Sequence, residues 1–424
     1  MTSHQGALAR RLGTFDAVAI GLGSMMGAGI FAAFAPAAVS AGAGLLIGLA
    51  IAGIVAYCNA TASAQLAAQY PTSGGTYVYG RERLGEWPGF FAGWSFVIGK
   101  TASAAAMAIT FAAYAAPSGW EKPVGVLAVL AVGAVNYVGV TRTAGATKVL
   151  AGVVLVVLAF VVVLGLTTGH PRSGALTEGL LEHGWYGILQ AAALLFFAFA
   201  GYARIATMGE EVREPQRTIP RAVLIALAIV LVVYAAVALT TLLVIGPERL
   251  ASSIAPLSDV VTAGGSFWAS PIVRVGAAAA TLGSLLSITA GIGRTTLAMA
   301  RHEDLPRWLS AVHDRYRVPH RAEMLLAVVV CVLVLTTDLR GALGFSSFGV
   351  LLYYFVANAA AFTQTPDHRR YPKALQILGA LGCVALAGSL PPPSIAAGLI
   401  VLAVGIGYRL VRQRLRTDGA GPRA

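Results

Sequence analysis

The stretch Gly23-Ser24-Met25-Met26-Gly27-Ala28-Gly29-Ile30-Phe31 lies in the middle of the first hydrophobic segment, residues 17–39. This segment is long and apolar enough to cross a bilayer, yet its centre is rich in glycine, which holds a helix poorly. In lipid, a backbone N–H or C=O group without a partner is costly, so a broken helix persists only where it lines a cavity enclosed by protein. The sequence therefore predicts a break in the first span that lines such a cavity.

The composition extends this interpretation to the whole chain. Of its 424 residues, 57% are hydrophobic and 11% are charged, and a soluble protein of this size could not bury so much apolar surface. Hydropathy finds twelve apolar runs of spanning length. They cover residues 15–39, 43–68, 87–116, 123–140, 145–168, 185–208, 220–246, 271–300, 322–338, 341–364, 373–390 and 392–411. The sequence predicts an all-α polytopic membrane protein with 12 transmembrane helices and no soluble domain.

The basic residues set the predicted orientation. The net charge is +12, and threading the spans with the N-terminus in the cytoplasm places most of the 30 Lys and Arg residues on that side. Cytoplasmic loops of membrane proteins are enriched in Lys and Arg in this way. We therefore expect a multi-pass protein of the cytoplasmic (inner) cell membrane with both termini cytoplasmic, and we relate the charge to the lipid bilayer rather than to nucleic acid.

The sixth span contains a second break. Its apolar helix, residues 185–199, is followed by Ala200-Gly201-Tyr202-Ala203-Arg204, which places a glycine and a full charge about halfway across the membrane. Interrupted helices at corresponding places in two halves indicate an inverted repeat, and an odd number of spans per repeat makes the two repeats run in opposite directions. Close helix packing through Gly23 and Gly27 is the alternative explanation of the first break.

Three motifs, taken in order, resemble those of a known family. They are Gly21-Leu22-Gly23-Ser24-Met25-Met26-Gly27-Ala28-Gly29-Ile30-Phe31, then Tyr70-Pro71-Thr72-Ser73-Gly74-Gly75-Thr76-Tyr77-Val78-Tyr79 with Gly85, Gly89 and Trp94, and then Phe196-Phe197-Ala198-Phe199-Ala200-Gly201-Tyr202 with Glu210-Glu211-Val212 and Pro215. Over essentially its whole length the chain resembles the amino acid–polyamine–organocation (APC) superfamily of permeases. The resemblance implies two inverted five-helix repeats with broken helices 1 and 6, plus two extra helices, and alternating access around a site between spans 1, 3, 6, 8 and 10.

The predicted divisions of the chain follow these repeats. Because each repeat has five spans, the division between them falls in the loop before the sixth span. The divisions are a cytoplasmic N-terminal tail (1–14), the first repeat with the following outer loop (15–184), the second repeat with the following inner loop (185–371), spans 11 and 12 (372–412), and a cytoplasmic C-terminal tail (413–424).

The resemblance also implies where an amino acid would bind. Backbone amides of the first break, from Ser24 to Gly29, would hold its carboxylate, and carbonyls near Met25 and in 197–200 would hold its ammonium. Helix N-termini attract anions and C-terminal carbonyls attract cations, so a zwitterion suits such a site. The candidate substrate-binding residues are Ser24, Met25, Met26, Gly27, Ala28, Gly29, Phe197, Phe199, Ala200, Gly201 and Tyr202.

Two positive charges lie within predicted spans, where the chain departs from the family pattern. Some proton-coupled relatives have a Lys in span 5, where this chain has Val154, and many have an acid after the aromatic of the second break, where it has Ala203 and Arg204. Lys100, near the centre of span 3, is the candidate for carrying a proton during transport; the alternative is a Lys that only bonds to backbone carbonyls. Arg204 stays charged, and the alternatives are pairing with Glu211, snorkelling, or contact with the substrate.

Two further groups of residues are candidates for ion binding and for a gate. Ser284 and Ser287 share a face of span 8 and could bind Na⁺ together with carbonyls of the first break, although serines bond more commonly to their own helix. Glu210 and Glu211 are candidates for a cytoplasmic gate, and the resemblance implies that Tyr77 and Tyr79 belong to it as well. The two glutamates are expected to face the basic loop 301–321, and a solvated acidic cluster is the alternative. No cofactor is expected.

The sequence predicts a secondary active transporter for amino acids. No Asp or Glu lies near the midplane of a predicted span, so we expect neutral L-amino acids rather than cationic ones, with proton symport, exchange and export left open. All seven His residues lie in termini or loops, so acid–base or metal chemistry lacks its groups and an enzyme is not expected. The alternatives are a nutrient sensor on the same fold, which binds without transport, and an amino-acid exporter or exchanger.

Overall fold

The computed structural model describes residues 12–27, 29–71, 74–138, 144–209 and 211–419, and within these ranges the regular elements are helices. The predicted all-α class is confirmed. The α-helices are α1 (Thr14–Met25), α2 (Gly29–Ala32), α3 (Phe34–Ala41), α4 (Leu45–Gln69), α5 (Gly75–Leu84), α6 (Glu86–Ala115), α7 (Glu121–Tyr137), α8 (Ala144–Thr168), α9 (Gly184–Phe199), α10 (Ala203–Ala206), α11 (Pro215–Ser252), α12 (Pro256–Ala263), α13 (Ser270–Arg301), α14 (His320–Thr336), α15 (Leu339–Phe362), α16 (Lys373–Ser389) and α17 (Pro392–Gly419).

Nine helical stretches in the described part of the chain are long and apolar enough to cross a membrane. Three more helices, α7, α14 and α16, coincide with predicted spans but have only 17 residues each. At 1.5 Å per residue such a helix is about 25 Å long, which is at the lower limit for crossing the hydrocarbon core. The polytopic membrane class therefore stands, and the number of twelve spans stays a prediction.

Both predicted breaks interrupt their helices at the glycine-rich segments. α1 ends at Met25, and helical structure resumes with α2 at Gly29. α9 ends at Phe199 and is followed by a 3₁₀ turn, Ala200–Tyr202, before the four residues of α10. The second break is thus a tightened turn, whereas Met26 and Gly27 of the first break are not helical.

Helices separated by five spans pack against each other. α4 packs on α11, α6 on α13 and α7 on α14, which pairs spans 2 with 7, 3 with 8 and 4 with 9. Two interlocked repeats with inverted topology would place their equivalent helices together in this way. The packing supports the predicted repeats, whose boundaries stay a prediction.

The helix of span 7 is longer than the run predicted from hydropathy. Pro215 is the first residue of α11, where a missing N–H has no cost, and the helix continues to Ser252. Its course changes direction at Gly246, which has a φ of 75° and precedes Pro247. Only glycine adopts this conformation readily, so the predicted end of the span at Gly246 coincides with the kink.

Candidate functional site

The two helix breaks lie in direct contact. A Cβ atom on Gly29 would lie 2.5 Å from the Cα atom of Ala198, and a Cβ atom on Gly201 would lie 2.4 Å from the carbonyl oxygen of Ser24. No side chain fits at either distance, so glycine is required by close approach of the backbones rather than by an unusual φ. The fold therefore brings together the two segments that the sequence marks as broken.

The hydroxyl of Tyr234 bridges the two breaks. This residue is on α11, and its Oη atom lies 2.6 Å from the carbonyl oxygen of Met25 and 2.9 Å from that of Ala198. Its ring packs against Phe199 with a centroid distance of 5.2 Å. A tyrosine hydroxyl has one proton, so it donates to one carbonyl at a time and the other keeps its capacity to accept. Tyr234 was not predicted as a site residue, because a tyrosine in an apolar span has the same sequence pattern as a tyrosine that only packs.

Most of the predicted substrate-binding side chains are buried around this contact. Met25, Met26, Phe197 and Tyr202 are among the buried residues. The hydroxyl of Ser24 donates to the carbonyl of Ile20 on its own helix at 2.9 Å. Ala28, also a predicted site residue, lies outside the described residues.

Lys100 reaches the second break from α6. It is 8% exposed, and its Nζ atom donates to the carbonyl oxygen of Ala200 at 3.2 Å. The hydroxyl of Tyr354 donates to the same carbonyl at 3.3 Å, and the Tyr354 ring stacks on that of Tyr202 at 5.1 Å. Within the ranges that the structure describes, no carboxylate forms an ion pair with Lys100. One predicted acceptor of a substrate ammonium thus already receives a hydrogen bond from a lysine.

Arg204 is paired. Its Nη2 atom lies 3.7 Å from Oε1 of Glu211, and Nη1 donates to the hydroxyl of Thr207 at 3.3 Å. Of the alternatives for this residue, the structure has the ion pair with Glu211. Contact between Arg204 and a substrate stays a hypothesis.

The two candidate Na⁺ ligands differ in position. The hydroxyl of Ser284 donates to the carbonyl of Gly23 at 3.2 Å, and the same side chain fills the space beside Gly27. Ser287 is exposed. Ser284 therefore supports the first break from α13, and a Na⁺ site that uses both serines stays a hypothesis.

A comparison with known proteins identifies the family. The family model described as "Amino acid permease" matches residues 12–409. The chain belongs to this family. The permease is 56% identical over 418 residues to an uncharacterized transporter of Mycobacterium tuberculosis. The aligned region covers 98% of this chain and 94% of the relative.

Two more distant relatives of the permease have names that specify substrates. The cationic amino acid transporter 7 (chloroplastic) of Arabidopsis thaliana is 30% identical over 83% of this chain and 65% of its own length. A branched-chain amino acid permease of Bacillus subtilis is 25% identical over 89% of this chain and 86% of its own length.

Two further tyrosine side chains hydrogen-bond to the broken spans of the permease, one to each span. We call the side on which α1 begins the inner side, and the charge pattern predicts that it is cytoplasmic. On the outer side, the hydroxyl of Tyr114 donates to the carbonyl of Phe31 at 3.2 Å and accepts from the N–H of Leu257 at 3.4 Å, so α12 covers the first break. On the inner side, the hydroxyl of Tyr79, a predicted gate residue, donates to the carbonyl of Ala206 at 3.1 Å.

The segment before α1 also closes the inner side of the permease. The N–H of Leu12 donates to the carbonyl of Glu211 at 3.1 Å, and the N–H of Arg213 donates to the carbonyl of Leu12 at 2.8 Å. These two bonds join the start of span 1 to the end of span 6. Lys148, at the inner end of α8, forms an ion pair with Asp16 nearby on α1.

A cluster of charges centred on Asp304 forms a second part of the inner closure. Asp304 follows α13, and its Oδ2 atom accepts from the hydroxyl of Tyr77 at 2.8 Å and from Nη1 of Arg81 at 2.9 Å. Its Oδ1 atom accepts from Nη1 of Arg409, on α17, at 2.6 Å. Burial and then the hydrogen bond to Asp304 raise the pKa of the Tyr77 hydroxyl above its usual value, so this hydroxyl stays a donor at physiological pH.

The acidic residue of this cluster differs from the predicted gate acids. The sequence offered Glu210 and Glu211 as partners of the loop 301–321, but Glu211 pairs with Arg204 and Glu210 lies outside the described residues. The acid that Tyr77 contacts, Asp304, belongs to that basic loop itself. The loop contains three acids, Glu303, Asp304 and Asp314, among its basic residues, and this available signal was missed.

Removal of the Tyr234 hydroxyl tests its role as a bridge between the breaks. We expect Tyr234→Phe to keep the packing on Phe199 and to lower the transport efficiency kcat/KM about fivefold, since one buried hydrogen bond contributes about 1 kcal/mol. The measurement is initial uptake into proteoliposomes over a range of substrate concentrations. Tyr186→Phe, at an exposed position of α9, is the matched control. Equal efficiencies of Tyr234→Phe and wild type would contradict the role.

Proposed function

We propose that this permease is a secondary active transporter that moves neutral L-amino acids across the cytoplasmic membrane by alternating access around the two breaks. One observation carries the proposal: the breaks touch, and the carbonyls of Met25, Ala198 and Ala200 converge on donors from α6, α11 and α15. Backbone carbonyls freed from helical bonding attract a cation strongly where water is excluded. The ammonium of an amino acid would bind to these carbonyls, and amides of the first break would bind its carboxylate.

The chemistry around the breaks favours a neutral side chain. Neither broken span, residues 17–39 or 185–208, contains an Asp or Glu. A cationic side chain would therefore lack a carboxylate partner near the breaks, and an unpaired charge in the membrane is costly. Buried Met25, Met26 and Phe197 offer an apolar surface instead. The branched-chain permease among the relatives agrees with this choice.

Transport of cationic amino acids is the second candidate. It is favoured by the cationic amino acid transporter among the relatives, which is more similar in sequence than the branched-chain permease. Because Lys100 adds a positive charge beside the second break, this candidate requires two like charges in one site. We therefore place it second.

Counterflow in proteoliposomes tests the proposed function. Purified protein is reconstituted, the vesicles are loaded with one unlabelled amino acid, and uptake of its labelled form is followed for each of the standard L-amino acids. Counterflow requires a carrier that exposes its site alternately to both sides, whatever ion it couples. We expect transient accumulation with neutral amino acids. Accumulation with lysine or arginine alone would select the second candidate, and binding without accumulation of any amino acid would indicate a sensor.

A further inference from the structure

We propose that Lys100 is a resident cation of the substrate site. Its ammonium is bound to the carbonyl of Ala200, and the ammonium of an arriving amino acid displaces it. The displaced lysine then loses its proton to water on the open side of the membrane, and the lysine nitrogen becomes a neutral amine. Substrate and proton thus compete for the site. This inference rests on the proposed function. It adds that binding of the amino acid and binding of the proton oppose each other.

The first step, binding of the Lys100 ammonium to a substrate acceptor, follows from the position of Lys100. Its Nζ atom is 3.2 Å from the carbonyl oxygen of Ala200, the first residue after α9 ends at Phe199. A carbonyl at the C-terminal end of a helix carries partial negative charge and attracts cations. The same carbonyl is in the set that the family resemblance implies for the substrate ammonium. A side chain of this protein therefore occupies an acceptor that the substrate needs.

The second step, displacement of Lys100, follows from the two hydrogen bonds that the carbonyl of Ala200 already accepts. The Ala200 carbonyl also receives the hydroxyl of Tyr354 at 3.3 Å, while the carbonyls of Met25 and Ala198 share the hydroxyl of Tyr234. A carbonyl oxygen has two lone pairs, so Ala200 has no acceptor capacity left while both donors are in place. Two ammonium groups at one carbonyl would also repel each other in a poorly solvated site. The substrate ammonium can bind to the carbonyl of Ala200 only if Lys100 leaves or loses its charge.

Among the described residues, the charge of Lys100 has no carboxylate partner. Tyr354 shares the carbonyl of Ala200 with Lys100, and its ring packs against those of Tyr202 and Tyr353. Charged residues of the described helices that pack on α6 lie toward the two ends of these helices. They are Arg81, Glu82 and Arg83 on α5, Glu121 and Lys122 on α7, Arg274, Arg294 and Arg301 on α13, Arg321 and Glu323 on α14, Arg340 on α15, and Arg409, Arg412 and Arg414 on α17. A lysine released from Ala200 therefore meets hydroxyls rather than carboxylates, and loss of its proton relieves the unpaired charge.

A purely structural lysine is the competing explanation. Such a lysine would keep its hydrogen bond to Ala200 throughout transport and would not change protonation on substrate binding. The two explanations differ in proton release, which a structural role does not produce. They also differ in the effect of a permanent charge at this position.

The test measures proton release and affinity in purified wild type, Lys100→Met and Lys100→Arg. The probe is the amino acid with the largest counterflow signal, and protons are followed with an indicator dye in weakly buffered solution over about pH 5 to 9. Wild type should release up to one proton per amino acid bound, and its affinity should rise with pH by at most about tenfold per unit. Lys100→Met should release none and show a flat pH profile, while Lys100→Arg should bind at least tenfold more weakly at every pH.

Controls make each outcome decisive. Lys122→Met, which removes a lysine that bonds to the carbonyl of Leu335 at the outer end of α7, should behave as wild type. Proton uptake on binding, a flat wild-type profile without release, or unchanged release in Lys100→Met would overturn the inference while counterflow still supports the transporter. Counterflow with no amino acid would overturn the proposed function and this inference with it. If Lys100→Met does not fold, Lys100→Gln replaces it.

Discussion

Replacement of Gly201 by alanine should abolish transport, with a loss of at least about a hundredfold in initial uptake. The added Cβ atom would lie 2.4 Å from the carbonyl oxygen of Ser24 and 2.6 Å from the N atom of Met25. Both are backbone atoms, so the clash cannot be relieved by turning a side chain. The two breaks must move apart, and the carbonyls that we assign to the substrate ammonium lose their common geometry. Uptake into proteoliposomes at matched protein content measures the effect.

A matched glycine separates this effect from a general loss of helix packing. A Cβ atom on Gly291, in α13, would meet nothing within 4 Å, so Gly291→Ala should transport as wild type. Gly29→Ala, whose Cβ atom would lie 2.5 Å from the Cα atom of Ala198, should reproduce the defect from the other break. Melting temperatures in detergent show whether each variant is folded. A folded Gly201→Ala protein with normal uptake would show that contact between the breaks is not required.

Neutralisation of Asp304 should have the second large effect. In Asp304→Asn, the guanidinium of Arg409, which is 6% exposed in its ion pair with Asp304, loses its closest anionic partner. Removal of one member of a buried ion pair costs up to about 3 to 5 kcal/mol when the remaining charge is left uncompensated. The exposed carboxylate of Glu86, 3.4 Å from Nη2 of Arg409, compensates this charge in part. We expect a melting temperature lower by several degrees and faster labelling of cysteines introduced on the inner side. Both measurements can be made on purified protein.

An exposed ion pair provides the control for this variant. Glu214 and Arg217 lie 3.7 Å apart with side chains that are 73% and 75% exposed, so Glu214→Gln should leave stability unchanged. The double variant Asp304→Asn with Arg409→Met should be less destabilised than the sum of the two single variants, because both remove the same interaction. Additive effects would indicate that the two residues act separately and that the cluster is not one closure.

The sequence allowed the breaks to be located because their cause is local. Glycine weakens a helix wherever it occurs, and a glycine-rich stretch inside an apolar span has few explanations other than close packing or a break. The contact between the breaks was predicted only through the family resemblance. Its geometric reason, the distances at Gly29 and Gly201, depends on residues about 170 to 180 positions apart in the chain.

The remaining parts of the site depend on partners that local patterns do not reveal. Asp304 pairs with Arg409 on the last helix, and Tyr234 bridges two segments that precede it in the chain. Neither residue has a neighbour in sequence that indicates its partner. For Glu211 the sequence did suggest a partner, since pairing with Arg204 was one of several alternatives. Only the fold distinguishes among these alternatives.

The central claim is that one amino acid binds to both breaks at once, and substrate protection tests it most directly. Ser24→Cys and Ala200→Cys, one in each break, are made separately in a protein whose Cys58, Cys331 and Cys383 are replaced by alanine. The rate of modification by a small water-soluble thiol reagent is then measured with increasing amounts of a transported amino acid. Ser173→Cys, in the exposed loop after α8, serves as the unprotected control. We predict protection of both cysteines with the same half-saturating concentration; a transported amino acid that protects neither, or only one, would contradict the account.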